Sequence, residues 1–239
     1  MNAFRDLVGI GCSKERLFPF IYVTKPYHSI CATNERKQND GQSVKIIFVG
    51  AIDSRKNIGT IIQWINENEK SFCASFELHI YGGYGNENLL YRLINNNKSI
   101  YYHGIVPNEE VRVAMLKSDI AILPSKYDGW GAVINEALQC GCKVLVSNRC
   151  GSSSIPKSFP KLGLVFDPHD KNDFILKLND LLRKGILSKE TKTEIMNWSE
   201  QHIHPDIAAQ YLINVIKATD NTIISLYLQI FFGDKINLT

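Results

Sequence analysis

The stretch YDGWGAVINEALQCG, from Tyr127 to Gly141, is a glycine-punctuated turn that runs straight into a helix. The apolar run Ile120-Ala121-Ile122-Leu123 precedes it, and Lys143-Val144-Leu145-Val146 follows it. Strand, glycine turn, helix, strand is the unit with which α/β proteins hold a phosphate at a helix N-terminus. One carboxylate, Asp128, stands before the helix and another, Glu136, inside it. Gly129 and Gly131 remove side chains where a ligand must approach the backbone, and Gly131, Ala132 and Val133 offer it their N–H groups. With the helix starting near Gly131, Glu136 lies roughly 7.5 Å along its axis. Val133, Ile134, Ala137 and Leu138 define the buried face, and Glu136 sits off its edge. One helix can thus present amides to a phosphate and a carboxylate to a sugar hydroxyl. Taken singly, Asp128 and Glu136 read more simply as a turn Asp and a solvated Glu. Their joint placement after a strand weakens that simpler reading.

Outward from this stretch the chain alternates. Val44 to Gly50 is a buried strand ending in Gly. Asn57 to Asn68 carries Ile58, Ile61, Ile62 and Ile65 at helical spacing. Phe76 to Tyr81 is a strand closed by Gly82-Gly83, and Glu87 to Asn95 is a helix with Leu89, Leu90, Leu93 and Ile94 on one side. Ile100 to His103 is a short strand ended by Gly104. Asn108 is positioned to cap a helix to Lys117, with Glu109 and Glu110 in its first turn. Gly163 to Phe166 is a last strand, and Lys171 to Lys184 a helix with Phe174, Leu178, Leu181 and Leu182 on one face. Strand and helix alternating with short connections predict an α/β fold, a doubly wound, mainly parallel Rossmann-like sheet with helices on both faces. Lys189 to Ala218 adds two helices split at Pro205.

Size and composition bound the rest. With 239 residues, the chain accommodates one domain with appendages. A net charge of +3 is too slight to argue for nucleic acid or an anionic membrane. The scattered cysteines include no CxxC pair, so reduced thiols are expected, and Cys140-x-Cys142 lacks the second ligand pair that a metal site needs. The start has no basic region followed by an apolar one, and the late apolar run Ile223 to Phe232 is about half of a bilayer span. Cytoplasmic location, or attachment to the cytoplasmic face of the membrane, is the expectation. Residues 1–42 read as a remnant of a preceding domain plus a polar linker, 43–186 as the Rossmann-like domain, and 187–239 as C-terminal helices and a tail.

Ligands of an open α/β sheet bind at the carboxyl ends of its strands. Four turns fall there: Gly50 to Lys56, Tyr81 to Gly85, His103 to Pro107, and Ser125 to Gly131. The first places Arg55 and Lys56 just before a helix, where cations suit a diphosphate. The competing reading is a solvated surface pair. His103, taken by itself, reads as a strand-end His bonded to a neighbouring loop. His202 and His204 flank a helix start at Pro205 and are read as structural.

Several segments in order then resemble one family. IIFVGAIDSRKNI (residues 46–58), YYHGIVPNEEV (101–111), SDIAILPS (118–125), DGWGAVINEALQCGCKVLVS (128–147) and GLVFDPHD (163–170) are similar to the C-terminal, nucleotide-sugar-binding half of GT-B glycosyltransferases, specifically the retaining enzymes of family 4, group 1. The Glu-x7-Glu motif of that family is here Asp128-x7-Glu136. The resemblance implies that Lys56 neutralises the donor diphosphate, starting from the loop at Gly50, and that amides near Gly131 and Ala132 hold the distal phosphate. It implies Glu136 on the ribose hydroxyls and Asp128 facing the transferred sugar. The backbone around Ile105 and Val106, with His103 nearby, would border the base. The reaction implied is transfer of a sugar from a nucleotide sugar, such as a UDP- or GDP-sugar, to a glycan or lipid-linked acceptor in polysaccharide biosynthesis, with retention of configuration and no metal or other cofactor. Leaving-group charge would be stabilised by Lys56 and the helix amides.

Two departures stand out. The family usually has Arg after the Gly of the first strand; this chain has Ala51, and Arg55 is the nearest substitute. Asp128 is one methylene shorter than the usual Glu. A GT-B enzyme has two Rossmann-like domains, and this length fits only the second. The chain is therefore read as a donor-binding half that needs a separate acceptor-domain chain, as a truncated enzyme, or as an inactive nucleotide-sugar-binding module. The tail Ile223 to Phe232 is read as the segment crossing back to that partner or as a contact with a membrane surface.

Overall fold

The structure is a computed structural model describing residues 7–14, 17, 22–25, 43–83, 85, 87–95 and 97–217. Its centre is a parallel sheet of β1 (Val44–Val49), β2 (Phe76–Tyr81), β3 (Ile100–Gly104), β4 (Ile120–Leu123), β5 (Lys143–Ser147) and β6 (Gly163–Phe166). The spatial order is β3-β2-β1-β4-β5-β6. The chain winds outward from β1 to one edge, returns, and winds from β4 to the other edge. The order therefore reverses between β1 and β4, and there the loops at the carboxyl ends diverge and leave a crevice.

The helices are α1 (Ile58–Glu67), α2 (Glu87–Ile94), α3 (Asn108–Lys117), α4 (Val133–Gln139), α5 (Ser154–Ser158), α6 (Lys171–Leu182), α7 (Lys189–His202) and α8 (Pro205–Lys217). Alternation along the strands sends side chains to two cores. Ile46, Phe48, Leu78, Ile80, Ile122 and Leu145 pack against α1, α2 and α6. Ile47, Ala121, Leu123, Val144 and Val146 pack against α3, α4 and α7 on the other face. In α1 the four isoleucines at 58, 61, 62 and 65 are all buried. Each buried side chain of this kind contributes about 1.5–3 kcal/mol. Asp170 caps α6 by accepting from the N–H groups of Asn172 and Asp173, and Ser188 caps α7 through Thr191.

The structure differs from the sequence reading at several points. Leu89 is exposed, because it lies one residue round the helix from Leu90, the position that faces the core in α2. Asn108 does not cap α3: it is the first helical residue, Pro107 occupies the cap position, and no side chain caps the helix. On α4 the buried set is Ile134, Asn135, Ala137 and Leu138, with Val133 only half-buried. Ile195 and Tyr211 of the two C-terminal helices, with Ile203 between them, join the core under β4 and β5. Of residues 1–42, read as a domain remnant plus linker, only 7–14, 17 and 22–25 are described, and the apolar tail run Ile223 to Phe232 lies outside the described residues. Among the described residues no helix is long and apolar enough to cross a membrane.

Candidate functional site

The loop after β1 is built to aim Lys56. Asp53 accepts the N–H of Lys56 through Oδ1 at 2.6 Å, which closes a tight turn. The next residue, Asn57, has φ 62, a left-handed conformation that Asn tolerates better than most residues. Its buried Nδ2 donates to the carbonyl of Pro124 at 3.2 Å and, at longer range, to that of Pro168. Asn57 therefore pins this loop to the loops after β4 and β6. The loop after β2 comes equally close: Gly82 has φ +121, and a Cβ there would lie 2.0 Å from the carbonyl oxygen of Gly50.

Lys56 reaches across the switch point. Its Nζ lies 2.6 Å from Oδ2 of Asp128, and both side chains are mostly buried. Nη1 of Arg55, half exposed, stands 3.6 Å from the same oxygen. Asp128 is held in turn by its N–H donating to the carbonyl of Arg149 and its own carbonyl accepting from Gly151. Next to it, burial first and then the Asp128 charge push the Cys150 thiol up to about 12, so it stays protonated at neutral pH.

Beyond Asp128 the turn tightens. Gly131 has φ +88, and a Cβ there would lie 2.3 Å from Cδ2 of Leu123. The core beneath the turn thus requires this glycine whether or not a ligand approaches. A Cβ at Gly129 would meet only open space. The N–H groups of Gly131, Ala132 and Val133 donate to no group among the described residues, as expected for the first turn of α4. One turn further on, Glu136 is half-buried with Arg112 Nη2 at 3.9 Å from Oε1. Burial raises the pKa of its carboxyl, and Arg112 partly offsets the rise.

The sequence-derived set therefore divides. Arg55, Lys56 and Asp128 form one charged cluster beside Gly50, and Gly129 to Val133 continue from it into Glu136. His103 has other partners. Its Nε2 lies 3.0 Å from Nδ1 of His79, and its ring stacks on Tyr81 with centroids 4.3 Å apart. Burial and then His79 lower its pKa. Its bonded partner is thus a side chain of the neighbouring strand β2, not of a neighbouring loop. Ile105 is exposed and Val106 half-buried against the core. Cys140 and Cys142 are core residues whose thiols point at backbone carbonyls, and His202 stacks on Trp198 while bonding its carbonyl.

Three positions escaped the sequence reading. Asn57 carried one signal, an Asn directly before an apolar helix. Arg112 carried none, since it lies on a mostly polar helix. Asn135 was passed over because a polar residue reads as buried only when its partners are known.

Residues 32–198 match the family model of the glycosyl transferases group 1. The chain belongs to that family. Among curated relatives, the O-antigen chain mannosyltransferase B of Escherichia coli is 30% identical over 128 residues, covering 52% of this chain and 33% of that protein. The sulfoquinovosyl transferase SQD2 of Arabidopsis thaliana is 29% identical over 108 residues, 41% of this chain and 21% of that one. The match thus spans a third or less of these relatives' length. The lipopolysaccharide outer core galactosyltransferase WaaB in its apo form superposes with a TM-score of 0.71 at 16% identity, over 91% of this chain and 60% of that chain. TarM superposes at 0.65 and 17% identity, over 90% of this chain and 42% of that chain. These likenesses give the fold: the sheet described above is the Rossmann-like half of a GT-B architecture.

Proposed function

We propose that the crevice between the loops after β1 and β4 binds a nucleotide-sugar donor, and that the chain supplies the donor half of a retaining glycosyltransferase. The observation that carries this reading is the Lys56–Asp128 pair, which joins two loops from opposite sides of the switch point. A cation and a carboxylate meeting where an α/β sheet binds its ligand suit a diphosphate next to a sugar. In this reading Lys56 and Arg55 lie along the diphosphate, and the N–H groups of Gly131, Ala132 and Val133 take the distal phosphate. Asp128 faces the transferred sugar. Glu136 accepts from the ribose hydroxyls, held in place by Arg112. His103, Ile105 and Val106 border the base.

The chemistry is substitution at the anomeric carbon. The bond from that carbon to the diphosphate oxygen breaks, and the acceptor hydroxyl oxygen bonds to the same face, its proton passing to the departing diphosphate oxygen. Negative charge grows on the diphosphate as the bond opens. Lys56, Arg55 and the turn amides are already placed to receive it, so this reading assigns the charge to the protein and to no metal. The acceptor, a glycan or a lipid-linked sugar, would be held by sequence beyond this stretch or by a separate chain. Peripheral contact with the cytoplasmic face of a membrane fits a lipid-linked acceptor.

A second reading, a module that binds the donor without turning it over, is favoured by Ala51 in place of the family's Arg and by the shorter Asp128. Incubating the chain with UDP- and GDP-sugars, and measuring free nucleotide and bound nucleotide separately, tells the two apart. Release that disappears in Lys56→Ala supports transfer. Saturable binding without release, with or without an acceptor chain, supports the module. Neither binding nor release removes both.

A further inference from the structure

Helix α4 carries two side-chain amides, Asn135 and Gln139, that face a distant part of the chain. Nδ2 of Asn135 donates to the carbonyl of Tyr22 at 2.7 Å, and Nε2 of Gln139 to that of Thr24 at 3.4 Å. The two periods match. Side chains four apart on a helix are separated by about 6 Å of rise, and carbonyls two apart on an extended chain by about 6.6 Å. Val23, between the two carbonyls, packs into the core that α4 faces. Tyr22 to Lys25 is thus a strap laid along α4, fixed by two amides and one apolar anchor.

Asn135 has a second contact. Its Oδ1 accepts from the indole Nε1 of Trp130 at 3.0 Å, while its side chain is completely buried. Trp130 lies between Gly129 and Gly131, two residues after Asp128, and its carbonyl accepts from Ser152 at 2.8 Å. A buried amide with a donor and an acceptor on different segments is costly to leave half-satisfied, at about 1–3 kcal/mol for the orphaned group. Losing the strap would leave the Asn135 amide short of an acceptor and free it to turn away from the indole.

We infer that Asn135 is a positioning residue that ties docking of the strap Tyr22–Lys25 to the conformation of the Asp128–Val133 turn, with Gln139 holding only the strap. The role rests on the donor-site reading for its consequence, namely that a released strap loosens the turn offered to the diphosphate. The physical coupling between strap and turn does not depend on that reading.

The test uses the full chain and four variants, with amide hydrogen exchange of the hydrogen-bonded turn amides, those of Asp128, Gly151 and Ser152, as the first readout and calorimetric titration with UDP and with GDP as the second. Asn135→Asp keeps the acceptor for Trp130 and removes the donor to Tyr22. Gln139→Leu removes only a strap contact. Trp130→Phe removes the indole donor and leaves the strap. Glu200→Gln, on α7, is the control. Coupling predicts exchange of the turn amides about tenfold faster in the first three variants, equivalent to about 1.4 kcal/mol of lost local protection, with no change in the control. It also predicts that Gln139→Leu, which touches neither Trp130 nor the turn, loosens the turn amides while leaving exchange in β1 and β2 unaltered. A purely structural role predicts uniform loss of protection across the sheet or none at the turn, and either outcome overturns the inference. Weaker UDP or GDP binding in step with the exchange extends the coupling to the donor site. If the unaltered chain binds neither nucleotide, the donor reading fails while the exchange data still decide the coupling.

Discussion

The two ends of the sheet treat charge differently. At the amino ends of β1 and β4, Asp119 is completely buried, yet its Oδ2 accepts from the N–H of Lys45 and its Oδ1 from that of Leu187. Nearby, Nζ of Lys192 donates to the carbonyls of Leu116 and Ser118. Backbone groups fixed by strands and helix ends answer the charges there. At the carboxyl ends, Asp128 is answered by long side chains from another loop. Two buried oxygens there, Asn57 Oδ1 and Ser152 Oγ, have no hydrogen-bond partner among the described residues. Groups of that kind call for an explanation, and a ligand-binding end supplies one. A charge locked by backbone belongs to the fold, and a charge locked by a mobile side chain can be handed to a ligand.

Substitutions at the two ends should therefore separate stability from function. The largest effect is expected at the closed end. Asp119→Ala strands two backbone N–H groups and should cost about 2–5 kcal/mol, read as a lower urea midpoint. Next comes Lys56→Ala at the open end. Nucleotide release should fall about a hundredfold, in the range seen when a donor to a developing oxyanion is removed, with the urea midpoint nearly unchanged. A similar unfolding cost in both variants would erase the contrast.

Gly131→Ala should fall between the two classes. Its left-handed backbone and the contact with Leu123 predict a loss of about 1–3 kcal/mol together with weaker UDP or GDP binding, because the fold and the turn share this residue.

A small stability effect of opposite sign is expected at Glu136. Burial raises its carboxyl pKa in the folded chain, so the folded form holds its proton more tightly than the unfolded form. Stability is then lost as pH rises from the ordinary glutamate range through the raised value, and the loss persists above it. Glu136→Gln should raise the urea midpoint slightly at neutral pH, an advantage that vanishes below the ordinary glutamate pKa. Nucleotide affinity should fall at the same time. A residue whose replacement stabilises the chain while weakening binding is held there for the ligand.

These contrasts also mark what the sequence could disclose. Periodicity was enough for the sheet and for α1, because Ile58, Ile61, Ile62 and Ile65 face one core at helical spacing and nothing competes with that burial. The charged cluster was legible because Arg55, Lys56 and Asp128 lie in turns that a parallel sheet must gather at one edge. The face of α4 was not. Apolar spacing favoured Val133, whereas Asn135 is buried through partners more than 110 positions away at Tyr22 and five residues back at Trp130. Arg112 escaped for the same reason, since its partner Glu136 sits on another helix. A cap at Asn108 is not formed because the helix already starts there, with Pro107, which has no side-chain acceptor to offer, in the cap position. Long-range polar pairing leaves no periodic trace, and at this site it positions the residues around the turn.

The most direct measurement is calorimetric titration of the chain with UDP and with GDP, repeated on Lys56→Ala. Saturable binding of at least one of the two nucleotides is expected, weakened at least about tenfold when Lys56 is removed, a change of about 1.4 kcal/mol. Binding of neither nucleotide, or equal binding in both proteins, would contradict that expectation.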